Sequence, residues 1–95
     1  MTTANDTANP LDRAPELVPL NAIFATDFVQ ILVAVTTANT IREVAEAVAV
    51  HVEGKRVRAQ DRPKVVIHDG VVLPEDLTVA EAGIRPFDHI AVEYA

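Results

Sequence analysis

The chain of 95 residues contains no cysteine, no serine and no tryptophan, and it has only four aromatic residues. Without cysteine it forms neither disulfide bonds nor thiolate metal sites, which fits a reducing compartment. Without serine, a Ser–His–Asp hydrolase site of the usual kind is excluded. The sequence therefore does not predict covalent catalysis by this chain.

Basic residues are also few: eight Lys and Arg against fourteen Asp and Glu give a formal net charge of −6. This balance disfavours non-specific nucleic-acid binding and docking on anionic membranes, because both depend on cationic side chains. Five of the eight cations nevertheless lie between residues 55 and 64, whereas residues 69–93 are strongly acidic. Such a dipolar distribution favours steering toward a protein partner, or it marks an ordinary solvated loop.

Long apolar runs are missing, since no segment approaches the roughly 18 residues that a membrane-spanning helix needs. The N-terminus also lacks the charged-then-apolar pattern of a signal peptide, so we expect a cytoplasmic protein. The length allows a single domain. Residues 1–17 lack apolar periodicity and are predicted to be a disordered tail, which leaves residues 18–95 as the folded domain.

Two apolar segments open this domain. The first alternates with a period of two, as a half-buried strand does, at Val18, Leu20, Ala22 and Phe24. The second, residues 28–35, is almost continuously apolar and β-branched, which predicts a central strand buried on both faces. Thr26 and Asp27 between the segments indicate a tight turn and hence a hairpin.

A helix is predicted over about residues 40–53. Thr40 and Glu43 have the spacing of a capping box, in which each side chain binds the main-chain amide of the other residue. Gly54 is the expected stop. The apolar residues that follow Thr40 recur at helical spacing: Ile41, Val44, Ala45, Val48, Ala49 and Val52.

The second half of the domain predicts a hairpin, a short helical turn and a last strand. Asp69-Gly70 separates residues 64–68 from 71–73 and suits the positive φ angles of a type I′ turn. Residues 78–82 predict a helical turn that ends at Gly83, and residues 87–94 alternate as a strand. The predicted class is therefore α+β, with a mixed sheet of four to five strands and one crossing helix.

The histidines are the obvious candidates for metal or acid–base chemistry, but His51, His68 and His89 lack the spacing of a ligand motif. His68 precedes a turn and is expected to face solvent. The acidic residues of turns and helix ends are read as caps, and the three glycines as turn residues. No catalytic, metal-binding or cofactor-binding residue is predicted in this chain.

The order of elements resembles the ubiquitin-like, or β-grasp, fold, and residues 64–94 look like the second half of ubiquitin. Members that are conjugated or carry sulfur use a flexible Gly-Gly terminus. The present sequence stops at Val92-Glu93-Tyr94-Ala95, so we expect neither activity.

A closer resemblance covers residues 18–94. Several stretches, in this order and spacing, are similar to the small gamma subunit of toluene-type multicomponent di-iron monooxygenases. They are FATDF at 24–28, VAE at 44–46 with Ala49 and His51, Arg56-Val57, Leu73-Pro74 and LTVAEAGIRP at 77–86.

This resemblance implies an accessory subunit of a hydroxylase that oxidises aromatic or alkene hydrocarbons with O2. Larger alpha and beta subunits would be its partners in a paired αβγ assembly, and the di-iron centre would lie in the alpha subunit. The gamma subunit would supply no iron ligand and would support the alpha subunit by docking on it. Substrate choice would reside in the pocket of another subunit, and an alkene or isoprene oxidiser is as compatible with the resemblance as a toluene oxidiser.

Three residues are the predicted interface contacts: His51, Arg56 and Arg58. Two of them, His51 and Arg56, lie off the helical core stripe but within the matching stretches. We expect Arg56→Glu to weaken subunit association without unfolding the isolated domain. The alternative function, from a different class, is a free-standing ubiquitin-like adaptor that is stable alone.

Overall fold

The computed structural model describes residues 14–27 and 29–95. Its elements are β1 (Leu17–Phe24), β2 (Gln30–Thr36), α1 (Ile41–Val52), β3 (Lys64–His68), β4 (Val71–Val72), α2 (Val79–Ala82) and β5 (His89–Tyr94). No helix within the described ranges is long and apolar enough to cross a membrane.

The five strands form one mixed sheet in the order β2-β1-β5-β3-β4. The two hairpins, β1–β2 and β3–β4, are antiparallel, and β5 lies between them, parallel to β1 and antiparallel to β3. The helix α1 packs across one face of this sheet. The predicted α+β class with a mixed sheet and a crossing helix is therefore confirmed.

The helix α1 forms as its sequence predicts. The Thr40 side chain accepts a hydrogen bond from the Glu43 amide, and the Glu43 carboxylate accepts one from the Thr40 amide. These bonds satisfy two amides that a helix start would otherwise leave open. The bond that the Glu43 carboxylate accepts from the Thr40 amide also lowers the pKa of Glu43. All six residues of the predicted stripe are buried against the sheet: Ile41, Val44, Ala45, Val48, Ala49 and Val52.

The predicted hairpin and helical turn are also present. Asp69 and Gly70 both adopt positive φ, 53° and 78°, which matches the twist of the two strands that they join. Thr78 caps α2 with a second capping box, and Gly83 ends this helix in the left-handed region.

The second strand departs from its prediction. β2 lies at the edge of the sheet rather than at its centre, and only one of its faces is buried. Val33 and Val35 contact the core, whereas Leu32 is 61% exposed. An apolar run indicates that a strand has two apolar faces, but it does not reveal what covers the second face. Residue 28, where the strand was predicted to start, lies outside the described residues.

Both ends of the domain differ slightly from prediction. β1 begins at Leu17, and Glu16 just before it exchanges two hydrogen bonds with Thr37. The predicted tail otherwise falls on residues 1–13, outside the described ranges, and on residues 14–15. At the other end, β5 begins at His89 because Phe87 adopts φ 67° in the turn that precedes it. A turn residue with left-handed φ cannot continue a strand.

Candidate interaction surface

The sheet has a second face that α1 does not cover. On each strand, the residues that alternate with the core positions point to this side. We call it the open face and define it by Leu17, Pro19, Asn21, Ile23, Gln30, Leu32, Ala34, Thr36, Val65, Ile67, Val72, His89, Ala91 and Glu93.

The open face is apolar and exposed. Leu17, Leu32 and Val72 are 65%, 61% and 56% exposed. Glu93 is the only position of this set with a formal charge at neutral pH. A sheet face left in water normally carries alternating polar side chains, and contiguous exposed apolar surface marks interaction sites. The open face is therefore the strongest candidate for protein contact within the described part of the chain.

Its middle positions are held in register across four strands. Ile23 lies opposite Ala91, Ala91 lies opposite Ile67, and Ile67 lies opposite Val72. This row runs from β1 to β4 without an intervening charge. Backbone pairing fixes the main chain of these residues, so little backbone conformational entropy would be lost when a partner covers them.

The basic loop, residues 55–63, lies at one end of the sheet and is anchored there. The Nε of Arg56 donates to Oδ2 of Asp27 at 2.9 Å, between the loop and the β1–β2 connection. The Asp27 side chain is 1% exposed and the Arg56 side chain 37%. Arg56 is thus an internal partner of a buried carboxylate, a role that the sequence analysis did not predict.

Tyr94 anchors the rest of this loop. Its hydroxyl donates to the Glu53 carboxylate and accepts from the Gln60 amide, and the Arg62 guanidinium lies 5.8 Å from its ring centre. Desolvation raises the pKa of Tyr94, and the hydrogen bond to Glu53 acts in the same direction. Arg62 also donates to the main-chain oxygen of Ala95 at 2.5 Å. The loop is therefore packed against the end of β5 rather than freely solvated.

The other two predicted contact residues are exposed. His51 lies in the last turn of α1, and Arg58 lies in the loop that follows. Lys55 beside them uses its Nζ to donate to the Val50 main-chain oxygen at 3.5 Å. Lys55 and Arg58 thus place two exposed cations near the C-terminal end of α1.

His68 does not face solvent as predicted. Its side chain is 14% exposed, and its Nε2 lies 3.0 Å from Oδ2 of Asp88. The same oxygen accepts the Arg85 amide at 3.0 Å, and this main-chain bond, assisted by His68, lowers the pKa of Asp88. The prediction failed because the pairing of β3 with β5 brings together residues 20 positions apart, which no local pattern records.

No metal centre can be built from these groups. Within residues 14–27 and 29–95, no three His, Asp or Glu side chains are grouped so that they could hold an ion. His51, His68 and His89 lie on α1, β3 and β5 and form no common site.

Comparison with known proteins identifies the family to which this chain is similar. The family model described as Toluene-4-monooxygenase system protein B (TmoB) matches residues 17–94, almost the whole described domain. The chain belongs to the TmoB family. The resemblance recognised from the sequence is thereby confirmed.

Two relatives extend the TmoB match. The gamma subunit of the hydroxylase component of the toluene-4-monooxygenase system from Ectopseudomonas mendocina is 36% identical over 78 residues, which are 80% of this chain and 93% of that subunit. A chain in the structure of the toluene 4-monooxygenase HD complex with the inhibitor 4-bromobenzoate superposes with a TM-score of 0.81 at 32% identity. The superposition covers 84% of this chain and all of that one.

More distant structures confirm the fold alone. Ubiquitin from Caldiarchaeum subterraneum superposes with a TM-score of 0.66 at 14% identity, over 84% of this chain and 95% of that one. The β-grasp architecture predicted from the order of elements is therefore confirmed. The present chain is a member of the TmoB family with a ubiquitin-like fold.

Proposed function

We propose that this chain is a non-catalytic gamma subunit that docks on a larger hydroxylase subunit through its open face and supports the fold of that subunit. The observation that carries the proposal is the open face itself: ordered, apolar and nearly free of charge. Membership in the TmoB family supplies the class of partner. In the proposed assembly this chain joins larger alpha and beta subunits in a paired αβγ complex.

The chemistry of the complex is assigned to the partner. The described side chains do not fit a di-iron centre, which typically uses carboxylates and histidines projecting from facing helices. We therefore place the di-iron centre in the larger subunit, and with it the oxidation of an aromatic or alkene hydrocarbon. No step of that reaction is assigned to residues of this chain.

Exposed basic residues at the C-terminal end of α1 are proposed as a second, smaller contact. His51 and Arg58 are exposed, and among residues 14–27 and 29–95 neither has an ion pair that would compete with a partner. Arg56 is proposed in a double role, because its contact with Asp27 fixes the loop while 37% of its side chain stays accessible. This contact favours an acidic patch on the larger subunit.

Purification from the native host tests the subunit assignment. The tagged chain is recovered by affinity purification, and the complex is examined by native mass spectrometry and iron analysis. We expect equimolar recovery with two larger chains and about two irons per largest chain, as in di-iron carboxylate proteins. Recovery as an iron-free monomer would instead support an adaptor.

A matched pair of variants tests the open face. Val72 points to the open face and Val71 to the opposite side of the same strand, and the two are similarly exposed at 56% and 58%. Both Val→Lys changes should alter the stability of the isolated chain by no more than about 0.5 kcal/mol. We expect Val72→Lys, but not Val71→Lys, to lower the yield of assembled hydroxylase, because only Val72→Lys buries a charge in the contact. Equal yields from the two variants would place the contact elsewhere.

A further inference from the structure

The outer edge of β2 carries main-chain groups whose direction follows from the strand register. The Thr37 amide donates to the Glu16 oxygen, so this pair is of the hydrogen-bonded kind. Hydrogen-bonded and non-hydrogen-bonded pairs alternate along an antiparallel ladder. Ile31, Val33 and Val35 therefore bond to β1. The amides and carbonyls of Gln30, Leu32, Ala34 and Thr36 point away from the sheet.

Part of this edge is already satisfied and part is open. The Thr36 amide donates to the Asn39 side chain at 2.8 Å, and the Thr36 oxygen accepts from the Asn39 amide at 3.1 Å. Within the described residues, the outward groups of Leu32 and Ala34 have no such partner. The contact with Asn39 satisfies the outward groups of Thr36. The open stretch of the edge therefore ends before Thr36 and includes Leu32 and Ala34.

Nothing on this edge opposes the addition of another strand. Soluble proteins usually protect sheet edges with charges, proline, bulges or short strands. β2 has seven residues, QILVAVT, with neither charge nor proline, and its register with β1 is unbroken. The opposite edge strand, β4, is protected by its length of two residues. In the part of the chain that the structure describes, the β2 edge is thus the one sheet edge left long and unprotected.

The size of this edge indicates which kind of partner fits. Seven residues extend about 24 Å, so an edge-to-edge contact about 10 Å wide hides on the order of 250 Å² per copy. A standard interface hides roughly 800 Å² per partner, so two copies joined by this edge alone would not form a stable dimer. A larger protein that also covers the open face supplies the missing area, because Leu32 and Ala34 belong to both surfaces.

We propose that an extended, uncharged segment of the larger hydroxylase subunit adds to the β2 edge as a sixth strand, hydrogen-bonded to the main chain of Leu32 and Ala34. This inference rests on the proposed function and specifies how the partner is recognised. Main-chain bonds to the edge would give affinity and register. Apolar side chains of the added segment would continue the open face beside Leu32.

Residue-resolved hydrogen exchange on the intact hydroxylase tests the proposal. The complex is exchanged in D2O and quenched, and the small subunit is compared with the free chain exchanged in the same way. We expect the Leu32 and Ala34 amides to exchange at least about tenfold more slowly in the complex, as newly formed hydrogen bonds require. The Val33 amide, which bonds to β1, should be protected in both states.

Ala34→Pro provides a second test. Proline is tolerated on an edge strand where the N–H points away from the ladder, so β1–β2 pairing should persist, as circular dichroism of the free chain would verify. We expect Ala34→Pro to weaken association with the larger subunits about tenfold or more, because a donor is lost and the ring blocks the edge. The matched change Ala34→Ser alters the same open-face position but keeps the amide, so it should weaken association less than Ala34→Pro does, and the difference between the two variants reports the lost donor and the blocked edge.

The outcomes separate the two proposals. If the wild-type chain assembles but the Leu32 and Ala34 amides exchange as fast as in the free chain, strand addition is wrong and the subunit assignment stands. If the wild-type chain does not assemble with larger subunits, both proposals are wrong. Should Ala34→Pro fail to fold, the exchange measurement on the wild-type complex still decides.

Discussion

At the scale of single residues, the ion pair between Asp27 and Arg56 joins the basic loop to the β1–β2 connection. Asp27 lies in a turn, where an acidic residue is ordinarily solvated, yet its side chain is 1% exposed. A buried carboxylate is tolerated only when it is paired and hydrogen-bonded. Arg56 therefore has a structural role, which changes the expected effect of replacing it.

We predict that Arg56→Glu destabilises the isolated chain, contrary to the expectation from the sequence. The change places a second carboxylate beside the buried Asp27, and breaking such a pair while adding repulsion costs about 2 kcal/mol or more, even though Arg56 is partly exposed. Urea unfolding would measure the loss. Arg58→Glu, in the same loop but exposed, is the control and should shift the free energy of unfolding by no more than about 0.5 kcal/mol.

Equal effects of these two substitutions would contradict the structural role of Arg56. A neutral result for both would mean that the folded state does not depend on the contact between Asp27 and Arg56. Arg58 is itself a predicted interface contact. The stability of the Arg58→Glu variant must therefore be measured before its effect on assembly is interpreted.

The Asp88 turn predicts a dependence of stability on pH. Its pKa lies below the ordinary value of 3.8, because the carboxylate accepts the Arg85 amide and is assisted by His68. The folded state therefore binds this proton less readily than the unfolded state does. The stabilisation is present above the unfolded pKa and is lost as pH falls through the folded pKa.

Asp88→Asn isolates this contribution. We expect the wild-type chain to lose more unfolding free energy between pH 5 and pH 3 than the variant, measured by urea denaturation at each pH. Other carboxylates titrate in both proteins, so the difference between the two curves reports Asp88. If the free energy of unfolding depends on pH in the same way in both proteins, the pKa of Asp88 is the same in the folded and unfolded states.

At the scale of elements, the sequence predicted those parts of the fold that are specified locally. The capping box at Thr40, the helical turn at residues 78–82 and the Asp69-Gly70 turn each depend on residues within a few positions of one another. Their signals are chemical as well as periodic, and the structure confirms each of them. Such features can be predicted from the sequence because interactions between nearby residues are enough to stabilise them.

Features that depend on distant neighbours were predicted less well. The apolar run of β2 was interpreted as a central strand, and His68 as solvent-facing, because strand order and partner strands are not local properties. The error over β2 is itself informative. A strand with two apolar faces at a sheet edge has the composition of a buried element, which is the composition expected if another subunit covers it.

At the scale of the whole molecule, two surfaces of different chemistry are proposed to meet the larger subunit. The open face is apolar, with one formal charge among its strand positions. It should therefore stabilise the complex mainly after the two surfaces have come into contact. The cations at the end of α1 act over longer distances, in a chain whose net charge is −6. Charges at the rim of an interface chiefly affect the rate of association, whereas buried contacts chiefly affect the rate of dissociation.

We therefore predict that the two kinds of variant differ kinetically. Arg58→Glu should slow association of the small subunit with the larger ones severalfold at low ionic strength and weaken its dependence on salt, because it removes a steering charge. Val72→Lys should instead speed dissociation and change the salt dependence little. Surface plasmon resonance with immobilised larger subunits, between about 20 and 300 mM salt, would measure both rates, since screening lengths shorten across this range. If Arg58→Glu alters only dissociation, the cations lie inside the contact; if it alters neither rate, they lie outside it, and the open face alone accounts for docking.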